Sequence, residues 1–167
     1  WDNEFTKTYR LYVGGEIAYP TQWVKPKLNV SFENITNYIY FDTNGLPQQM
    51  NGNIQVLAAD LQLNITTPWI NMENSIVYQH SSSAYLPLPA LTLYNNLYYH
   101  DTWVKALDVQ FGVDMRFFTK YYAPILNPAL GQFCVQEQEK VGNYPVMNVY
   151  ANFYVKHIRL KLFAQYQ

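Results

Sequence analysis

Hydrophobic and polar residues alternate along much of this chain with a period of two, the signature of strands that carry one apolar and one polar face. The clearest run is 107–117. Leu107, Val109, Phe111, Val113, Met115 and Phe117 share one face, and Asp108, Gln110, Gly112, Asp114 and Arg116 share the other. The run covers about 11 residues, the length of a tilted transmembrane strand.

The pattern recurs. Met147, Val149, Ala151, Phe153 and Val155 alternate with Asn148, Tyr150, Asn152, Tyr154 and Lys156. Ile158, Leu160, Leu162, Ala164 and Tyr166 then alternate with Arg159, Lys161, Phe163 and Gln165. Near the start, Tyr9, Leu11, Val13, Ile17 and Tyr19 alternate with Arg10, Tyr12, Glu16 and Ala18. In the middle, Leu57, Ala59, Leu61, Leu63 and Ile65 alternate with Ala58, Asp60, Gln62 and Asn64. Weaker alternation over 27–41, 69–79 and 91–99 completes an expected set of eight strands, with no helix.

The connections carry a second signal. Asn44-Gly45 with Pro47, Thr67-Pro68, and Pro87 with Pro89 mark turns between strands. Connections at 66–68, 100–102 and 156–157 read as short, and those at 43–52, 81–89 and 121–144 read as long. Short and long alternate, as between the two ends of an outer-membrane barrel. The connection 20–26 is longer than its place predicts. If the short turns are periplasmic, the first strand starts outside and the last one ends outside. Barrel chains normally begin and end in the periplasm. The expected fold is therefore all-β: an antiparallel transmembrane up-and-down β-barrel, here one domain over 1–167. It would hold about eight strands of a larger barrel and lack flanking strands. Aromatic residues at strand ends (Tyr9, Tyr19, Phe117 and Tyr166) fit the girdles of such a barrel.

Composition narrows the choice. Aromatic residues make up 17% of the chain and charged residues only 14%, where soluble domains carry roughly 25% charged. Mean hydropathy is −0.23, and no stretch approaches the roughly 20 apolar residues of a transmembrane helix. Net charge is −1, from 11 basic and 12 acidic residues without a basic cluster, so nucleic acid is not an expected partner. A soluble β-sandwich with an aromatic, carbohydrate-binding surface would share the alternation. The long strands weigh against it, since globular strands usually run about 5–6 residues.

Candidate chemistry is sparse. His80, His100 and His157 form no metal-ligand spacing, and Ser81, Ser82 and Ser83 no nucleophile motif. Gly14-Gly15 lies in a strand and precedes no helix, so it is not a phosphate loop. Cys134 is alone and reads as structural. No enzymatic activity, catalytic residue, metal or cofactor is expected. The functional candidates are the polar positions expected to face a lumen: Arg10, Glu16, Asp60, Asp108, Gln110, Asp114, Arg116, Lys120, Asn148, Asn152, Arg159 and Lys161. Opposite charges across a constriction would create a transverse field that orients dipolar solutes. The simpler reading is a wetted wall whose charges compensate one another.

Four segments carry a family resemblance. Residues 34–41 read NITNYIYF, 106–122 read ALDVQFGVDMRFFTKYY, 127–145 read NPALGQFCVQEQEKVGNYP, and 148–167 hold the last two strands. They resemble a porin family of Bacteroidetes-type bacteria, with its LxxQLGVDVRYxTxYY segment, NPATGQFYxQxxxxIGNYP loop and DVFxNxKIKRxRFFxKYEH strands. The GQF…GNYP pair is the most specific part. Cys134 stands where an aromatic is common, and the chain stops where the family continues to a final strand. The resemblance implies the C-terminal portion of a porin-like barrel in the bacterial outer membrane. Its expected partners are outer-membrane lipid, small hydrophilic solutes that diffuse passively, and other outer-membrane subunits. TonB-dependent transporter barrels share NYIY-type strands. The alternative is therefore a scaffold or partner subunit of a transport complex, its lumen blocked. The long loop 121–144 is placed to fold inward as a constriction or to cover a partner.

Overall fold

The computed structural model describes residues 4–155 and 160–166, the latter through the backbone. In chain order the strands are β1 (Tyr9–Ala18), β2 (Val24–Thr36), β3 (Ile39–Phe41), β4 (Pro47–Gln49), β5 (Asn53–Thr66), β6 (Ile70–Ser81), β7 (Leu91–Trp103), β8 (Leu107–Phe118), β9 (Ile125–Asn127), β10 (Gln132–Cys134), β11 (Val146–Val155) and β12 (Leu160–Tyr166). Eight of them form one sheet in the order β1-β2-β5-β6-β7-β8-β11-β12. Every pairing in it is antiparallel. This is the expected up-and-down succession. The sheet does not close on itself, and β1 and β12 are its edges. The all-β antiparallel expectation is met, and the described residues form an open sheet rather than a closed barrel.

Three local expectations change. The run 27–41 is not one strand. Asn37 adopts a left-handed backbone (φ 57) and splits it into β2 and β3. Asparagine tolerates this conformation better than most residues, and here its Nδ2 donates to the Lys7 carbonyl at 3.1 Å. The connection after β1 is shorter than 20–26, because β2 already begins at Val24 and includes Pro26. The Pro26 carbonyl accepts from Tyr19 N at 3.1 Å. Its missing N–H would point the same way, past the last β1–β2 pair at Ala18 and Lys27, so no ladder bond is lost. The connection expected at 100–102 lies inside β7; the turn is 104–106. Val104 and Lys105 both have positive φ (50 and 59), the backbone of a tight hairpin that usually holds Asn-Gly.

With these boundaries the parity is regular. Short turns join β1 to β2, β5 to β6 and β7 to β8 at one end, and long loops join β2 to β5, β6 to β7 and β8 to β11 at the other. The long loops are not irregular. They hold the four short strands, which form a second sheet in the order β4-β3-β10-β9. Its central pair, β3 with β10, is parallel and joins Phe41 to Cys134 from loops four strands apart. Val135 N donates to Phe41 O at 2.9 Å. Tyr85, from the β6–β7 loop, stacks on Tyr40 with ring centroids 4.2 Å apart. Burial pushes the Tyr38 and Tyr40 hydroxyls above their ordinary value, and a hydrogen bond with Tyr85 adds to the shift at Tyr40.

The molecule lacks a core of the usual kind. Among the described residues, the buried hydrophobic side chains are Ile54, Val109 and Cys134. The large apolar side chains of the main sheet lie on an exposed face: Leu11 is 59% exposed, Ile17 74% and Val149 55%.

Candidate functional site

Cross-strand pairing assigns every side chain of the main sheet to a face, because opposed residues point the same way. Arg10 pairs with Ile35 and Glu16 with Asn29, which in turn pairs with Asp60. Asp60 pairs with Val77, Val77 with Thr92 and Thr92 with Phe118. Asp108, Gln110, Asp114 and Arg116 alternate with Gly112 on the same side of β8, opposite Tyr154, Asn152, Asn148 and Val146. One polar face therefore carries nine of the sequence candidates: Arg10, Glu16, Asp60, Asp108, Gln110, Asp114, Arg116, Asn148 and Asn152. Lys161 sits on β12 opposite Tyr154. Lys120 lies beyond the end of β8, in the long loop, where it lines a cavity with His80, Tyr122 and Lys140. Arg159 and the turn at 156–157 lie outside the described residues.

On the β1–β5 side the charges pair with each other. Arg10 forms an ion pair with Glu33, its Nη2 donating to Glu33 Oε2 at 2.9 Å. Lys27 Nζ lies 2.8 Å from Glu16 Oε2. Asp60 accepts from Gln62 Nε2 at 2.6 Å and from Ser75 Oγ at 2.9 Å.

On the β6–β11 side the partners are aromatic or amide groups. Glu73, Asn96, Asp114 and Asn148 form one row across four strands. Asn148 Nδ2 donates to Asp114 Oδ1 at 2.9 Å, and Asn96 Nδ2 to Glu73 Oε2 at 3.4 Å. In the next row Tyr98, Gly112 and Tyr150 are neighbours. The Tyr150 hydroxyl donates to Asn96 Oδ1 at 2.9 Å, and the Tyr98 hydroxyl lies 3.5 Å from Glu73 Oε1. From β11 to β7 is two strand spacings of about 4.8 Å each. A tyrosine spans that distance only by lying along the sheet, and Gly112 makes the room. A Cβ there would collide with the hydroxyl end of Tyr150. On the other side of the carboxylate row, the Arg116 guanidinium sits 5.7 Å from the Tyr94 ring centroid. Asn152 Nδ2 donates to Gln110 Oε1 at 3.1 Å, and Thr102 Oγ1 to Asp108 Oδ1 at 2.6 Å.

Sequence reasoning missed Glu73, Tyr94, Asn96 and Tyr98. Tyr94 and Tyr98 count as apolar yet lie on the polar face, and Asn95 interrupts the apolar one, so alternation over 91–99 is weak. The charge of Glu73, flanked by Met72 and Asn74 in a run otherwise poor in charge, was the available signal.

The long loops lean over the polar face at their end of the sheet. Phe118 belongs to that face by register, and its ring meets Tyr121 and Tyr144 from the β8–β11 loop at 6.0 and 6.4 Å. A Cβ on Gly142 would come within 2.8 Å of the same ring. Ile54, opposite Ile35 on this face, is 0% exposed.

The opposite face is apolar. Leu11, Val13 and Ile17 of β1 continue into Leu28, Val30 and Phe32 of β2, Leu57, Leu61 and Leu63 of β5, and onward to Val149 of β11. Trp23, Trp69 and Trp103 mark the three described short turns, one each. A polar pair interrupts this face: Asn95 Nδ2 donates to Asn74 Oδ1, and Asn74 Nδ2 to the Leu63 carbonyl at 2.9 Å. Among the described residues no group of three or more His, Cys, Asp or Glu is placed to hold a metal ion.

Compared with known proteins, the whole chain, residues 1–167, matches the model of one family, described as "Putative porin". No curated protein and no solved structure matches it.

Proposed function

Because the chain belongs to this porin family, we propose that its sheet is part of the wall of an outer-membrane β-barrel through which small hydrophilic solutes diffuse passively. The observation that carries the reading is the two-faced sheet. One side presents a broad apolar surface with tryptophan at each described short turn, and the other presents paired charges, amides and tyrosine hydroxyls. Water disfavours so large an exposed apolar face, and lipid favours it. A β-sandwich would cover that face with a second sheet. Here the second sheet is small and stands at the loop end, and the apolar side chains remain exposed.

The dimensions agree. Tyr9 and Tyr19 bracket the apolar stretch of the first strand. The path between them is about 33 Å at roughly 3.3 Å per residue. With strands tilted by about 40°, it rises about 25 Å, the height of the apolar band of such barrels. In lipid the open edges at β1 and β12 would leave unpaired backbone groups at several kcal/mol each, so in this reading further strands complete the wall. The polar face becomes the lumen wall, and the loop sheet narrows its mouth.

The test is planar-bilayer recording of the full-length protein. Discrete ohmic channel events are expected. Their absence at every voltage overturns the channel reading and favours a scaffold or partner subunit whose lumen is blocked.

A further inference from the structure

We propose that the tyrosine floor of β7, β8 and β11 is a stacking subsite for a saccharide ring. The inference rests on the channel reading and names the class of solute this part of the wall would engage. Tyr150 reaches across Gly112 with its hydroxyl held by Asn96, and its ring stays half-buried on the polar face. Tyr98 extends the floor toward β6 and is tied to Glu73. Rings tethered this way lose little freedom when a ligand stacks on them, and aromatic faces bury large area.

The rim suits a polyol. Glu73, Asn96 and Asp114 stand at one register on three adjacent strands. They place two carboxylates about an amide at intervals of roughly 4.8 Å, close to the separation of alternate, not adjacent, hydroxyls around a pyranose. The contacts of Glu73 with Asn96 and Tyr98, at 3.4 and 3.5 Å, are long, and a carboxylate accepts several further donors. Asn148 in the same row is only 8% exposed, and its Oδ1 has no hydrogen-bond partner. That atom is closed to the lumen, so the acceptors this row offers a sugar hydroxyl are the half-buried Glu73 and Asp114. An organic cation fits less well, because Arg116 already places a positive charge over Tyr94 at the edge of the floor.

The experiment records single-channel current from the full-length protein while maltohexaose or cellohexaose is added. Concentration-dependent interruptions are expected with at least one of them. Tyr150→Ala should weaken the apparent affinity about tenfold. Glu73→Gln, which keeps an acceptor oxygen for the Tyr98 hydroxyl, should weaken it severalfold and guards against a folding failure of the first variant. Binding of the same sugars to the detergent-solubilised protein is measured in parallel by calorimetry. A silent bilayer with sugar binding intact would sink the channel reading and keep the subsite. A conducting channel that neither sugar interrupts or binds overturns the subsite, as does equal interruption in both variants. Interruption by tetramethylammonium in place of the sugars reassigns the floor to cations and overturns it too.

Discussion

The two sides of the polar face solve the same problem with different chemistry. Between β1 and β5, charge answers charge: Arg10 with Glu33, Lys27 with Glu16. Three cations (Arg10, Lys25 and Lys27) stand there with three carboxylates (Glu16, Glu33 and Asp60). Between β6 and β11, Glu73 and Asp114 are held by tyrosine and amide groups, and Arg116 lies beside Tyr94. On the first side the charges pair with one another. The second sets its carboxylates among amides and a fixed aromatic surface. The polar face is therefore not uniform, and under the proposed channel reading the part rich in amides and tyrosines is where solute discrimination should reside.

The largest expected effect falls on the glycine that makes the aromatic floor. Gly112→Ala should destabilise the folded protein by about 1–3 kcal/mol, the usual cost of forcing atoms into a packed site. Gly14→Ala is the matched control in the other half. A Cβ there meets the Tyr12 hydroxyl at 2.8 Å, but that side chain lies on the edge strand, 61% exposed, and can swing away. Its cost should stay within about 0.5 kcal/mol. Urea unfolding of the two variants in the same micelle decides; equal midpoints would erase the distinction between the halves.

A second comparison concerns charge. Glu73→Gln with Asp114→Asn should lower the cation-over-anion permeability ratio severalfold in a salt gradient. Reversal potentials unchanged from wild type would mean that the β6–β11 side is as compensated as its neighbour. The smallest effect is expected from Glu16→Gln with Lys27→Gln. The pair is well exposed (side chains 51% and 37%), and exposed ion pairs contribute little. Loss of the pair should shift stability by no more than about 0.5 kcal/mol, again by urea midpoint. A larger loss would show that the compensated half is held by its charges rather than by its ladder.

The strand set and its faces were legible in the sequence because a period of two needs no tertiary information. Leu107 to Phe117 reads as a two-faced strand from its alternation alone. What stayed hidden depended on single backbone angles and on distant chain. The turn at Val104-Lys105 lacks the Asn or Gly that usually announces positive φ, so the strand boundary was placed several residues early. Asn37 breaks β2 from β3 through a bond to Lys7, far away in sequence. At the candidate site, the charged and amide positions of β8 and β11 could be read directly. The tyrosines of β7 could not, because hydropathy does not say which face an amphipathic ring covers. The loop sheet was invisible, since pairing of three-residue segments from separate loops leaves no periodic trace.

That parallel pairing also imposes an order in time. Phe41 and Cys134 are separated by most of the chain and by four long strands, and a contact so distant is unfavourable until the segments between are fixed. The β2–β5 and β8–β11 loops can meet only after the intervening hairpins have zipped. The bridge is thus a latch thrown late: while the wall assembles its mouth stays unfastened, and once the bridge forms, opening either loop means disturbing both.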